Sequence, residues 1–301
     1  MKGPTVNVMF SFFPYSGNGG ISCEHPSIRK WFADTLVKCK NDSRIDKVHS
    51  VDFCDTPVTM VRNNAVQTAR KLGADLLVMC DSDQFPDLYV GKDPLARPFW
   101  DSSFDFTYQR ILNHKLTVVG APYCGPPNVE NVYVFRWANY QTDSPDADHR
   151  LEAYTREEAA QRGGIEEVAA LPTGLILFDL RVFDLLEPPY FYYEWRDKFE
   201  AEKVSTEDVT ATRDIALAGE HKHGYSPIHC NWDAWAGHMK PKCVGKPRIL
   251  TIDAIGDKYR QAMHVGARDN EQMREVDFAS RGEAGPLALA AGNGQVLRQG
   301  V

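Results

Sequence analysis

Two aspartates, Asp81 and Asp83, come directly after an apolar segment, residues 75–80, that has the length and composition of a buried β-strand. Alternate residues of an extended chain point the same way, so both carboxylates would project together from the strand end. Two convergent carboxylates can hold a hard divalent cation and leave coordination positions for a phosphate-bearing ligand. Ligands of open α/β sheets bind at the carboxyl ends of strands. The pattern therefore predicts a metal site at this strand end.

A second pair with the same spacing, Asp146 and Asp148, serves as an internal control. It lies in a polar stretch, residues 141–150, and no strand-like segment leads into it. We interpret this second pair as part of a solvated loop rather than as a calcium site. The functional interpretation of Asp81 and Asp83 therefore depends on the elements around them.

The composition is that of a globular protein, with 301 residues, 43% hydrophobic and 25% charged. No apolar run approaches the ~18–20 residues of a membrane span, and the amino terminus lacks the layout of a signal peptide. We therefore expect a cytoplasmic location. The formal net charge of −7 argues against a broad basic surface for nucleic acid.

The seven cysteines are scattered and form no Cys-x-x-Cys pair. This favours buried free thiols in a reducing compartment over a zinc or disulfide framework. Two cysteines and two histidines, Cys230, Cys243, His229 and His238, could be imagined as a zinc cluster, but their spacing fits no common zinc finger.

Strands and helices are predicted to alternate in the first 80 residues. Strands are expected at residues 6–13, 46–53 and 75–80, with amphipathic helices at 26–40 and 56–73 between them. The second helix has Thr56 as its expected N-cap, Pro57 as its first residue and Gly73 as its stop. This alternation is typical of a doubly wound nucleotide-binding sheet.

The glycine-rich segment after the first strand, residues 14–20, completes neither a Walker loop nor a dinucleotide fingerprint. It is either a surface loop or a turn that approaches a nucleotide closely.

The remaining elements are predicted from periodicity and capping residues. Thr155 and Glu158 have the spacing of a capping box, and Ser205 or Thr206 would cap a helix that ends at Gly219. Other predicted elements are a helix at 101–113, strands at 116–121 and 132–140, two short strands within 225–241 and a structured segment at 248–264. Residues 282–301 have the composition of a poorly ordered tail.

Residues 58–87 together resemble a GT-A-fold glycosyltransferase. The resemblance lies in Arg62-Asn63 on a helix, a Gly-Ala-Asp turn, an apolar strand, Asp81-Ser82-Asp83 and the following Pro86-Asp87. It implies an α/β fold, namely a GT-A-like, Rossmann-type mixed sheet flanked by helices in a single domain. That domain would span residues 1–265, with a nucleotide-binding half at about 1–125, an acceptor-binding half at 126–265 and a tail at 266–301.

The second half of the chain extends the resemblance. Thr173-Gly174 and the strand after them resemble the segment that lines the sugar site of such enzymes, and Glu207-Asp208 resembles the family's Glu-Asp motif at a helix start. The resemblance implies that Asp208, or else Glu207, is the general base that takes the proton of the acceptor hydroxyl. The competing interpretation is that acidic residues are favoured in a first helical turn by the helix dipole alone.

The resemblance also implies a metal site and a nucleotide site. Asp81, Asp83 and His238 would hold Mn²⁺ or Mg²⁺, with His229 and His264 as alternative histidine ligands. The residues near the nucleotide would be Pro14, Tyr15, Arg62, Asp81 and Ser82. The aromatic segment 188–195 is interpreted as packing, with stacking on a sugar or base as the alternative.

The resemblance as a whole predicts a metal-dependent, hexosyltransferase-like glycosyltransferase with a UDP-sugar as the expected donor. Compact enzymes of this kind occur in bacteria and in phages, where they act in the host cytoplasm. Their acceptors include glycans, proteins and hydroxymethylated DNA bases. Basic residues that could line a narrow groove for DNA are Arg196, Lys198, Lys240, Lys242, Lys246 and Arg248. The alternatives are a nucleotidyltransferase acting on a sugar phosphate and a non-catalytic nucleotide-sugar-binding protein.

Overall fold

A computed structural model describes residues 3–14, 26–54, 57–125, 132–138, 151–195 and 203–238. All of them belong to one compact unit, Met1–Pro241, and the second unit, Lys242–Val301, lies outside the described residues. The predictions for the segment 248–264, the tail, the proposed basic groove and the Asp146–Asp148 loop therefore also fall outside them. The predicted domain boundary at residue 265 stays a prediction.

The described residues form strands, five α-helices and one 3₁₀-helix. The strands are β1 (Val6–Phe13), β2 (Ile45–Asp52), β3 (Leu76–Asp81), β4 (Gln84–Phe85), β5 (Val118–Gly120), β6 (Phe135–Trp137), β7 (Leu151–Ala153), β8 (Ile165–Glu167), β9 (Leu175–Asp179), β10 (Glu194–Trp195), β11 (Lys203–Ser205), β12 (Ile228–Asn231) and β13 (Gly237–His238). The helices are α1 (Pro26–Asn41), α2 (Val58–Lys71), α3 (Phe99–Leu112), α4 (Arg156–Ala160) and α5 (Glu207–His223), and the 3₁₀-helix is Leu180–Leu185.

Seven strands form one mixed sheet in the order β2-β1-β3-β9-β5-β12-β8. Strand β1 is parallel to β2 and β3, and β5 is parallel to β12. Strand β9 runs antiparallel between β3 and β5, and β8 is antiparallel to β12 at the edge. This sheet, with helices on both faces, confirms the predicted class of a Rossmann-type mixed α/β sheet. The carboxyl ends of β1, β3 and β5 lie along the same edge.

The central strand β3 is buried on both faces, which explains its continuous apolar sequence. Leu76, Val78 and Cys80 pack with residues of α1 and α3, whereas Leu77 and Met79 pack with residues of α2 and α5. All five side chains are fully buried. Burying a large aliphatic side chain contributes about 1.5–3 kcal/mol, so the strand that ends at Asp81, two residues before Asp83, is rigidly held.

The end of helix α5 differs from its predicted position. The predicted stop at Gly219 is wrong, because the helix continues to His223 and ends at Gly224, whose φ is 73°. Gly219 is needed for a different reason. A Cβ at Gly219 would lie 2.4 Å from Cδ of Pro227, so only glycine permits this close approach to the loop before β12.

Smaller corrections concern element ends. Helix α2 begins at Val58 with Pro57 in the N-cap position, one residue later than predicted, and Thr56 lies outside the described residues. Of the predicted strand 132–140, residues 139 and 140 lie outside the described residues; within the described part the strand is β6, and Val132 pairs in an isolated bridge with Cys124. The capping box of Thr155 and Glu158 is confirmed, with both reciprocal hydrogen bonds present.

The cysteines within the described residues are free thiols. Cys39, Cys80 and Cys230 are buried as predicted, whereas Cys54 is exposed. Cys54 departs from the prediction because it follows β2, where the chain leaves the sheet.

Within the described part of the chain, no helix combines the length and the apolar character that crossing a bilayer requires.

Candidate functional site

The pairing of β4 with β13 brings His238 to the acidic strand end. In this antiparallel pair His238 lies opposite Gln84, the residue that follows Asp83. As a result the imidazole Nε2 of His238 lies 3.3 Å from Oδ2 of Asp83. Two residues far apart in the sequence thus meet at the carboxyl edge of the sheet, where α/β folds bind ligands.

Backbone and aromatic contacts fix the orientation of the His238 ring. Its Nδ1 lies 2.8 Å from the carbonyl oxygen of Cys124, and its ring packs edge-on against Tyr123 with 4.9 Å between centroids. A carbonyl oxygen can only accept, so Nδ1 carries a proton and Nε2 is the ring nitrogen that faces Asp83. A carboxylate oxygen and an imidazole nitrogen 3.3 Å apart can share a proton or a cation. The donor set of this pair therefore fits a divalent ion.

One buried arginine, Arg62, lies within ion-pair distance of the other carboxylates of the site. Arg62 on α2 is 3% exposed, and its Nη2 donates to both oxygens of Asp81 at 3.2 and 2.9 Å. Its Nη1 donates to Oε1 of Glu207 at 2.5 Å and lies 3.8 Å from Oδ2 of Asp208. The predicted position of Arg62 beside a diphosphate remains a prediction. In this structure the arginine is the internal counter-ion of residues from β3 and α5.

Burial and charge act in opposite directions on this cluster. Burial lowers the pKa of Arg62, but Asp81, Asp208 and Glu207 together raise it above its usual value. Burial raises the pKa of Asp81 and of Glu207, and the Arg62 guanidinium opposes this rise in both. With Asp83 included, four carboxylates face one guanidinium and one imidazole. The site therefore has an excess of acidic groups and favours additional positive charge.

The start of α5 places Glu207 and Asp208 differently. Thr206 occupies the N-cap position but makes no side-chain capping bond, and Glu207 is buried against Arg62. A helix-dipole preference does not by itself explain a carboxylate buried on an arginine. Asp208 lies farther from the guanidinium, and its Oδ1 accepts a hydrogen bond from the Val209 amide at 2.9 Å. Asp208 is thus the carboxylate that Arg62 holds less closely.

Tyr123 belongs to the site and is absent from the predicted residues. It follows the end of β5, and its pKa is raised well above the usual value by burial, with Asp208 and Asp81 adding to the rise. Its hydroxyl lies where Gly174 leaves room, since a Cβ there would be 2.6 Å from that oxygen. A sequence signal existed: Tyr123 comes three residues after Gly120, the last residue of β5, at the same edge of the sheet as Asp81 at the end of β3.

The remaining predicted residues are distributed as follows. Ser82 is buried, and its amide donates to the Phe13 carbonyl at 3.1 Å, while Pro14 follows β1 directly. His229 lies inside β12, where its Nδ1 is 2.8 Å from the Pro227 carbonyl oxygen. Tyr15 and His264 lie outside the described residues.

Asp81 and Asp83 have different neighbours, since Asp81 faces Arg62 and Asp83 faces His238. Within the described residues, no three His, Cys, Asp or Glu side chains are gathered as a preformed metal site. The assignment of all three predicted ligands to one ion therefore stays a prediction.

Asp87, which belongs to the segment that resembles the family, has a structural role. Its carboxylate accepts hydrogen bonds from Trp31 Nε1 at 2.9 Å and from the Phe99 amide at 2.7 Å. Asp87 has a φ of 57°, in the left-handed region that Asp tolerates better than most residues. These bonds attach the loop after the acidic pair to α1 and α3.

No protein-family model matches this chain, and no curated protein matches it. Solved structures with a similar fold do exist. A197 from STIV is 15% identical, with 81% of this chain and 98% of that chain covered and a TM-score of 0.43.

Two transferases are also similar. GalNAc-T7, solved with UDP, GalNAc and Mn²⁺, is 13% identical, with 78% of this chain and 44% of that chain covered and a TM-score of 0.38. A protein described as a glucose-1-phosphate thymidylyltransferase from Bacillus anthracis is 13% identical, with coverages of 77% and 88% and a TM-score of 0.37. At these identities and TM-scores the similarities assign no activity to this chain.

Proposed function

We propose that this chain is a metal-dependent glycosyltransferase that moves a sugar from a nucleotide-sugar, with UDP as the expected carrier, to an acceptor hydroxyl. The observation that carries the proposal is the pair at the sheet edge, in which Nε2 of His238 faces Oδ2 of Asp83 at 3.3 Å. This pair lies next to Asp81, which Arg62 links to the carboxylates of Glu207 and Asp208. Such an acidic sheet edge suits a cation that accompanies a diphosphate.

The residues that would hold Mn²⁺ or Mg²⁺ are Asp81, Asp83 and His238. The ion, when bound, would neutralise the charge that develops on the departing nucleoside diphosphate. The nucleotide itself would lie near Pro14 and Ser82, at the ends of β1 and β3, and near Tyr15, the next residue of the chain after Pro14. Arg62 would keep the buried carboxylates oriented, because its two Nη atoms bridge β3 and α5.

Asp208 is the proposed general base. In the reaction the acceptor oxygen forms a bond to the anomeric carbon, the bond from that carbon to the diphosphate oxygen breaks, and the hydroxyl proton passes to the Asp208 carboxylate. Glu207 is less suited to this role, because its Oε1 accepts a hydrogen bond from Arg62 at 2.5 Å. Glu207 would position Arg62 and the start of α5 instead.

A calorimetric titration of nucleoside diphosphates, with and without Mn²⁺, tests the binding part of the proposal. We expect metal-dependent binding of one nucleotide to the wild type and a loss of that binding in Asp83→Ala. Asp148→Ala is the matched control, since it alters the other Asp-x-Asp pair. Absence of nucleotide binding in the presence of metal would contradict the proposal, as would equal effects of the two substitutions.

Product analysis then separates the three functional alternatives. A glycosyltransferase releases a nucleoside diphosphate from the donor, a nucleotidyltransferase releases pyrophosphate, and a binding protein releases neither. We expect Asp208→Asn to lower turnover by about 10²–10⁴-fold while nucleotide binding is retained. Pyrophosphate release would favour the nucleotidyltransferase alternative.

A further inference from the structure

A groove of about 550 Å³ lies between α2 and the segment 188–193, and the proposed function leaves it unused. Met60, Asn64 and Gln67 of α2 line one side, and Tyr192 and Tyr193 line the other. We call it the amide–aromatic groove. Its volume falls within the range of about 300–1,000 Å³ that is usual for small-molecule sites.

Among the described residues that line it, the amide–aromatic groove has no charged side chain. Its lining consists of amide, hydroxyl, methionine, proline and aromatic residues, although 25% of the chain is charged. A second groove, between α1 and α3, differs in charge. Its lining includes five charged side chains, namely those of Lys38, Asp42, Arg44, Asp101 and Asp105. A polyanion such as DNA needs lysine and arginine contacts to its phosphates, and the described lining of the amide–aromatic groove offers none. Its chemistry suits a neutral ligand.

The groove is rigidly built. Asn63 ties its two sides together, because Oδ1 accepts from the Tyr190 amide at 2.8 Å and Nδ2 donates to the Phe191 carbonyl at 2.9 Å. Tyr192 is 38% exposed, yet its hydroxyl donates to Oδ2 of Asp214 at 2.7 Å. A ring that is exposed but already held in place loses little conformational entropy when a ligand stacks on it.

Asn64 and Gln67 are exposed on α2 and line the groove from the helix side. Each side-chain amide carries both hydrogen-bond donors and acceptors, which match the hydroxyl groups of a sugar. A fixed aromatic ring opposite two amides therefore provides an apolar face and a hydrogen-bonding face for one ring-shaped, hydroxyl-rich ligand.

The amide–aromatic groove borders the acidic site. Arg62 and Asn63 are consecutive on α2, and Arg62 contacts Glu207 while Asn63 holds the groove wall. On the other side Tyr193 adjoins the same carboxylate: burial raises its pKa, and Glu207 adds to the rise. A ligand in the groove would thus lie close to Glu207 and Asp208.

We propose that the amide–aromatic groove binds the acceptor of the reaction and that this acceptor is a neutral saccharide. The inference rests on the proposed function, because it assigns the acceptor half of the same site. It selects the glycan among the acceptor classes and excludes DNA from this groove.

The test measures retention of the full chain on an array of immobilised neutral glycans, anionic glycans and hydroxymethylated DNA duplexes. We expect the wild type to bind a neutral glycan and Tyr192→Ala to weaken that binding by about tenfold. Tyr192→Phe keeps the ring and should lose much less. The matched control is Tyr89→Ala, which removes another exposed tyrosine outside the groove. Titration of nucleoside diphosphates with Mn²⁺ into each variant accompanies the array.

The two measurements separate the two proposals. Nucleotide binding without retention on any neutral glycan would overturn the acceptor inference and leave the proposed function standing. Retention on a neutral glycan without nucleotide binding would overturn the proposed function and the acceptor role, and would leave the groove as a neutral-saccharide site only. Equal binding of a neutral glycan by the wild type and Tyr192→Ala would show that the glycan does not bind in the amide–aromatic groove. Retention on DNA or an anionic glycan that depends on Tyr192 would show that the ligand of the groove is not a neutral saccharide.

Discussion

Two histidines of this protein, His229 and His238, have almost the same immediate contacts. Each has its Nδ1 2.8 Å from a backbone carbonyl oxygen, that of Pro227 or of Cys124. Each ring also packs edge-on against an aromatic ring, Phe106 at 5.0 Å or Tyr123 at 4.9 Å. Both follow α5 in the chain, and both were candidates for the metal-ligating histidine.

The difference lies in what else surrounds the two rings. His229 is buried in β12 between β5 and β8, and burial, together with the nearby cation Arg110, lowers its pKa to about 4. His238 lies in the short strand β13 and faces the carboxylate of Asp83. One histidine is thus a neutral core residue, and the other faces an anion at the ligand-binding edge. Local contacts fix a tautomer, but the opposing charge determines whether a cation can bind.

The largest expected effect comes from removing one histidine at a time. His238→Ala should weaken metal-dependent nucleotide binding by at least about 100-fold, because it removes a proposed ligand beside Asp83. His229→Gln should leave that binding within about threefold of the wild type. Calorimetric titration with Mn²⁺ measures both, and a larger loss in His229→Gln would reverse the comparison.

The second prediction concerns stability against pH. Because the folded-state pKa of His229 is lowered from 6.5 to about 4, the unfolded chain takes up a proton first as the pH falls. The stabilising contribution of neutral His229 is therefore present above pH 6.5 and is lost toward pH 4. We expect this loss to lower the free energy of unfolding by about 2 kcal/mol as the pH falls from 7 to 5.

Urea unfolding of the wild type and of His229→Gln at the two pH values measures this contribution. The variant should lack the corresponding part of the pH dependence. His221→Gln, which alters an exposed histidine of α5, is the control and should follow the wild type. Identical pH dependence in all three proteins would show that His229 is not the neutral core residue described above.

The smallest effect is expected from the aromatic partners. Tyr123→Leu removes the ring that orients His238 and should weaken metal-dependent nucleotide binding by about tenfold, in the range typical of groups that orient metal ligands. Tyr123→Phe keeps the ring and should cost less. Phe106→Leu makes the equivalent change beside His229 and should have no such effect. Equal losses in Tyr123→Leu and Phe106→Leu would indicate a general disturbance of packing.

Much of the fold was predictable because it is locally encoded. Three strands and two helices of the first half were predicted at nearly their observed positions, since strand and helix periodicities act over a few residues. Gly219 shows the limit of such reasoning. A glycine near a predicted helix end indicates a stop, but this one is required by Pro227, whose approach depends on the tertiary packing.

The candidate site was predictable in its residue types and less so in its arrangement. Glu207 and Asp208 could be identified from their place at a helix start, but their link to Asp81 through a buried Arg62 could not. Arg62 has the appearance of a solvated helix residue, because the sequence does not show which face of α2 meets α5. Tyr123 was missed for a similar reason, since its contact with His238 depends on where β13 pairs.

The sequence by itself determined that an apolar strand ends in Asp81 and Asp83 and that strands and helices alternate around it. Those features depend on side-chain alternation and on capping, which act between near neighbours in the chain. Only the tertiary structure decided which histidine meets Asp83, which carboxylates share Arg62 and that a groove whose described lining has no charged side chain adjoins them. Such contacts depend on the register of distant strands and on the packing of helix faces, which no short stretch of sequence specifies.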